Sequence, residues 1–136
     1  MSASRLPGET PRAPRRPVYL DLTRIREPVP AIVSILHRIS GAALFLVGIP
    51  LLLYAVQRSL ASPEAYASLL GLLDQPMVKL LLLGLIWAYL HHFCAGIRHL
   101  LLDMHIGTEL KPARQSGFAV MIISLALTAI VGARLW

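Results

Sequence analysis

Charged residues in this chain fall between long apolar runs. Ile39–Gln57, Leu80–Ile97 and Gln115–Ala133 contain no Asp, Glu, Lys or Arg over 19, 18 and 19 residues. A helix rises about 1.5 Å per residue and a bilayer's hydrocarbon core is about 30 Å thick, so each run nearly crosses it. One more turn at either end completes the crossing. Helices buried in a soluble bundle show a polar face every 3.6 residues, and Leu80–Leu90 shows none. The pattern predicts an all-α integral membrane protein, a three-helix domain over 31–136 with spans at about 31–57, 77–104 and 116–136.

Proline and glycine mark where the runs end. Pro30 suits the first turn of span one. Pro50, inside that span, removes one backbone hydrogen bond and predicts a kink that membrane helices tolerate. Residues 58–76, with Ser62, Pro63, Glu64 and Asp74, read as one loop. Residues 106–115, with Gly107, Glu109, Lys111, Pro112 and Arg114, read as the other. Residues 1–30 form a basic, proline-rich segment in which Pro7, Pro11, Pro14 and Pro17 rule out a continuous helix. Disorder is expected to about Arg15, then an extended or interfacial stretch over 18–26. No small-residue cleavage site follows the first apolar segment, so span one is expected to stay in the membrane. Arginine-rich leaders also occur as organelle transit peptides, but Glu9 and the prolines favour a cytosolic tail.

Composition agrees with lipid. Of 136 residues, 56% are hydrophobic and 15% charged, against about a quarter charged in soluble domains. The net charge of +6 flanks the spans, which fits topology and anionic lipid better than nucleic acid. Arg5, Arg12, Arg15, Arg16, Arg24 and Arg26 precede span one, and Lys111 and Arg114 lie in the second loop. Only Arg58, Lys79 and Arg134 fall on the other side. The positive-inside rule then puts the N-terminus in the cytoplasm and the C-terminus outside. Cys94 is the single cysteine, so no intrachain disulfide forms; a small packing residue is its ordinary role.

Ionisable groups within the spans are costly and point to function. One cluster, Ser34-Ile-Leu-His37-Arg38, opens span one. Ser34 and Arg38 share a helix face, as do His37 and Gly41. Position alone allows Arg38 simply to snorkel to head groups. The second cluster is His91-His92-Phe-Cys-Ala-Gly96-Ile-Arg98-His99-Leu-Leu-Leu-Asp103. His92, Gly96, His99 and Asp103 form one stripe, and His92 lies about 16 Å of helix rise from Asp103, near mid-membrane. A neutral imidazole at that depth can ligate haem iron, Gly96 leaves room for a flat macrocycle, and Arg98 and His99 lie where propionates could be paired. Either His91 or His92 could instead only bond a neighbouring helix; periodicity does not separate them, but His92 alone shares the stripe with Gly96 and His99. There is no HxxE, CxxC or HExxH spacing, no glycine-rich nucleotide loop and no Ser/His/Asp triad.

These clusters resemble the cytochrome b subunit, the larger membrane anchor, of succinate dehydrogenase (respiratory complex II). Arg16-Pro17-Val18, Leu22, Val29, Ser34, His37-Arg38 and Ser40 match at the family's spacing, as do His92, Gly96-Ile97-Arg98-His99-Leu100 and Asp103. The likeness covers about residues 16–136. It implies three spans packed with a smaller anchor subunit, flavoprotein and iron–sulfur partners, and a bacterial inner-membrane location. It implies haem b with His92 as one axial ligand and a partner histidine as the other. It implies ubiquinone as substrate beside Ser34 and Arg38, and His37, Arg38 and His99 at or near the haem propionates. Leu102 departs from the family's usual aromatic or Met, and His105 from a small residue, with Gly107 two positions on; the geometry of the second loop is what these put in question. A fumarate reductase anchor using menaquinone, or a haem-free structural anchor, are the competing expectations.

Overall fold

A computed structural model of the chain describes residues 27–135. The expectations for residues 1–26, and for Trp136 as the end of span three, fall outside those residues. Among the described residues all regular structure is helical: α1 (Val29–Ala43), a π-helical turn (Leu44–Gly48), α2 (Ile49–Ala61), α3 (Pro63–Leu73), α4 (Pro76–Asp103) and α5 (Leu110–Leu135). Three continuous stretches are long and apolar enough to cross a membrane: Val29–Ala61, Pro76–Asp103 and Leu110–Leu135, with mean hydropathies of 2.2, 1.7 and 2.2.

The irregularity in the first span falls one turn before Pro50. Ile49 donates its amide to Leu44 O, five residues back. A proline ring clashes with the carbonyl four residues before it, and widening the preceding turn moves that carbonyl aside. The expected kink therefore takes the form of a π turn at Leu44–Gly48.

The stretch read as a loop over 58–76 contains a helix. Ser62 accepts the Ala65 amide on its hydroxyl at 3.1 Å, Pro63 takes the first helical position and Glu64 lies in the first turn. Ser-Pro-Glu is a helix-start signature, and α3 follows from it, burying Leu69. The Ser62 hydroxyl holds the Glu64 carboxyl below the usual carboxylate range. Between α3 and α4, Lys79 reaches Asp74 at 2.7 Å.

The second loop is also shorter than 106–115. Helix α5 starts at Leu110 with Pro112 in its first turn, where a missing amide costs nothing. Helix α4 ends in a Schellman turn: the His105 amide bonds Leu102 O and the Ile106 amide bonds Leu101 O, both at 2.9 Å. His105 sits at φ 62 and Gly107 at φ 75. His105 thus occupies a left-handed position, and histidine is one of the non-glycine residue types that tolerate it.

Helix α4 packs against both α1 and α5. The buried cluster is small: Val33, Ala95 and Val120, flanked by Val29, Cys94 and Met121. Lipid is as apolar as leucine, so helices here gain by close approach rather than by hiding large side chains. Accordingly Phe45, Leu46, Leu53 and Leu60 stay exposed while Ala88, Ser124 and Thr128 are buried. Ser124 and Thr128 satisfy their hydroxyls on Met121 O (3.1 Å) and Ser124 O (2.7 Å) of their own helix. Gly117 lets Val29 approach; a Cβ there would lie 3.2 Å from Val29 Cγ1.

Candidate functional site

Helices α1 and α4 meet at a set of histidines. The rings of His37 and His92 stack with centroids 4.1 Å apart and planes 8° from parallel. His99, two turns beyond His92, tilts against His37 at 5.0 Å. His92 Nδ1 lies 3.0 Å from His37 O and 3.3 Å from Ser40 Oγ. Ser40 Oγ donates to the same His37 carbonyl at 2.9 Å. A carbonyl only accepts, so the close Nδ1 contact is attractive when Nδ1 carries the proton. Nε2 then keeps its lone pair.

The ring fits because of a glycine. A Cβ on Gly41 would stand 2.7 Å from His92 Cε1 and 3.2 Å from Nδ1. Only a residue without a side chain admits the imidazole this close to α1. Gly96 faces His37, with Nε2 of that ring 3.6 Å from where a Cβ would be. His37 Nε2 is itself buried and finds no hydrogen-bond partner among the described residues.

The adjacent histidines part company. His91 is fully buried, stacked on Trp87 at 5.3 Å, beside the backbone of Val33. Neither of its ring nitrogens makes a well-formed hydrogen bond among the described residues. His92 is only half-buried. A large planar ligand has access to His92 and none to His91 without unpacking the chain.

Arg38 is exposed and Ser34, one turn earlier on the same face, is half-buried. The structure brings His37 into ring contact with both His92 and His99, and Arg38 follows His37 directly in the chain. Arg98 goes elsewhere. It is 5% exposed and turns to α5, donating from Nε to Ser116 Oγ at 3.0 Å and from Nη2 to Ala113 O at 3.2 Å. Its place beside His99 in sequence suggested a propionate partner; its geometry ties two helices together. Ser40 and Gly41 are the residues whose roles sequence reasoning missed. Both stood in or beside the quoted pattern, but nothing local shows that they touch a ring on another helix. An apolar cleft of about 380 Å³ between α4 and α5, lined by Cys94, Leu101 and Val120 among others, lies on the opposite face of α4 from His92.

Do these residues fit a haem? A metal-ligating histidine characteristically gives its second ring N–H to a backbone carbonyl, which fixes the tautomer and ring plane. His92 Nδ1 on His37 O is that arrangement. The orphaned His37 Nε2 offers a buried donor for an acidic group. No group of three or more His, Cys, Asp or Glu side chains among the described residues is placed to hold a bare metal ion, whereas a porphyrin brings its own nitrogens and asks the chain for one axial imidazole. The donor set fits.

Such a fold and site define a helical membrane protein with a half-buried histidine whose Nδ1 meets a backbone carbonyl of another helix. The pattern of the family described as "Succinate dehydrogenase/Fumarate reductase transmembrane subunit" matches residues 12–131, and the chain belongs to that family. It is 39% identical over 123 residues to the succinate dehydrogenase cytochrome b556 subunit of Coxiella burnetii, covering 90% of this chain and 98% of the relative. The protein of the same description from Paracoccus denitrificans is 33% identical over 90% of this chain and 89% of the relative. That from Rickettsia prowazekii is 29% identical over 86% and 90%.

Proposed function

We propose that this chain is the haem b-bearing membrane anchor of succinate dehydrogenase, and that it helps deliver electrons from succinate oxidation to ubiquinone. The observation that carries the reading is the His92 Nδ1 contact with His37 O at 3.0 Å, which leaves Nε2 free as an axial ligand. A histidine of the small anchor subunit would hold the haem together with His92. The flavoprotein oxidises succinate, and the iron–sulfur subunit passes electrons to the membrane. The assembly sits in a bacterial inner membrane with this chain's N-terminus in the cytoplasm and its C-terminus in the periplasm, as the distribution of arginine suggests. When bound, haem b supplies a one-electron couple within the membrane.

The chain's own residues do the rest. His92 ligates, and Gly41 gives its ring room. His37 and His99 would offer ring N–H donors to the propionates, and Arg38 would offset their negative charge. Ser34 and Arg38 lie at the cytoplasmic edge and line the quinone pocket. Reduction of a quinone to a quinol takes up two electrons and two protons, and charge develops on the carbonyl oxygens as electrons arrive. A hydroxyl and a guanidinium placed there stabilise that charge, with water close by as the proton source.

Two measurements test this. The purified complex should show a haem b band in its reduced-minus-oxidised spectrum; a complex with no such band sinks the reading in favour of a structural anchor. Arg38→Ala should impair quinone reduction while succinate oxidation by a soluble dye persists. Normal quinone turnover in that variant removes Arg38 from the pocket.

A further inference from the structure

We infer that Ser40 is a positioning residue for the haem ligand, setting the plane and the donor strength of the His92 imidazole; this rests on the haem reading above. Ser40 is 2% exposed, on the α1 turn that faces His92. Its hydroxyl proton is committed to His37 O at 2.9 Å. Its oxygen therefore presents a lone pair toward His92 Nδ1, 3.3 Å away. The Nδ1 proton is shared between two acceptors, the His37 carbonyl and the Ser40 oxygen.

The two acceptors have different consequences. The carbonyl alone fixes the tautomer. The His37 ring, stacked at 4.1 Å, and the Gly41 backbone already limit how far the imidazole turns. A second acceptor from a different direction adds a directional hold on Nδ1. It also withdraws the proton further, which makes Nε2 a stronger donor to iron and favours the ferric state. His92 has no simple way to compensate for a lost hydroxyl by closing on the carbonyl. Its ring already lies against the Gly41 backbone, with the site of a glycine Cβ only 2.7 Å from Cε1, and His37 O also serves the helix's own Gly41 amide.

The test is Ser40→Ala in the intact membrane complex, followed by haem content relative to flavin, redox titration of the haem band, and low-temperature electron paramagnetic resonance. The expected result is retained haem with a midpoint potential shifted upward. The highest g-value, which reports the angle between the two axial imidazole planes, should move as well. Ser40→Thr, which keeps the hydroxyl, should return both signals toward wild type. An alanine variant with full haem and an unchanged or lowered potential overturns the inference. So does a threonine variant that behaves as alanine does. Wild-type complex without haem would instead remove the reading on which the inference stands.

Discussion

Gly41→Ala puts the α1–α4 contact to the most direct test. The new methyl would sit 2.7 Å from His92 Cε1, 3.2 Å from Nδ1 and 3.7 Å from Nε2. Carbon atoms settle about 3.5–4.0 Å apart, so ring and helix must separate by roughly 0.8 Å or more. Overpacking of this kind costs about 1–3 kcal/mol. A retreat of that size also takes the 3.0 Å bond from His92 Nδ1 to His37 O out of range, for about 1 kcal/mol more. Helix propensity works the other way, since alanine is better than glycine by about 1 kcal/mol in a helix interior. Whole-chain stability is therefore a blunt readout. Haem occupancy is a sharper one, because the cost falls on the ligand's position. About 2–4 kcal/mol corresponds to roughly 30- to 1,000-fold weaker haem retention. The assay is the haem-to-flavin ratio of purified complex after extended dilution, with the absorbance maximum of the reduced haem. Gly71→Ala serves as control, because a Cβ there meets nothing within 4 Å. A Gly41→Ala complex with full haem and an unshifted spectrum would refute the account of how His92 is seated.

Other substitutions probe the neighbouring contacts. His92→Leu should abolish haem binding while His91→Phe keeps it, since His91 is sealed inside the chain; haem loss in the His91 variant would reverse the assignment. Removing the two poorly bonded His91 nitrogens should leave stability equal or higher by about 1 kcal/mol, measurable by denaturation in mixed micelles. Arg98→Met breaks the bonds to Ser116 Oγ and Ala113 O and should lower the same unfolding free energy by about 2–4 kcal/mol; no measurable change would show that α4 and α5 hold together without it. The Asp74 carboxyl is held below its ordinary range by its hydrogen bond to Lys79. Its contribution is therefore present at neutral pH and lost only as pH falls through the lowered value. Because Asp74 is 82% exposed, that contribution is small, and Asp74→Asn should lower thermal stability at neutral pH only marginally; a large drop would mean that this corner is buried in the assembly.

Helix α3 shows what a local rule can and cannot reveal. Ser62-Pro63-Glu64 carries a readable start signal, yet the length of uncharged runs does not mark an 11-residue helix too short to cross the membrane. The π turn at Leu44–Gly48 was legible only as a defect at Pro50. The proline specifies that a hydrogen bond is lost, whereas its neighbours decide where the helix widens.

The sequence by itself determined three spans, because the length of an uncharged run is a one-dimensional property and the bilayer's thickness sets the threshold. It also determined the stripe of His92, Gly96 and His99, because residues at helical spacing share a face whatever surrounds them. Only the tertiary structure decided that His91 faces the interior and His92 the more open side. It alone joined His92 to Ser40 and His37, 52 and 55 positions away, and turned Arg98 toward α5. The physical reason is that these contacts depend on the rotation and register of α1 against α4. That register is set by small residues and a buried cluster spread over three helices. No stretch of one helix encodes it. A histidine's depth in the membrane is written in its own segment; the partner of its second nitrogen is written in another.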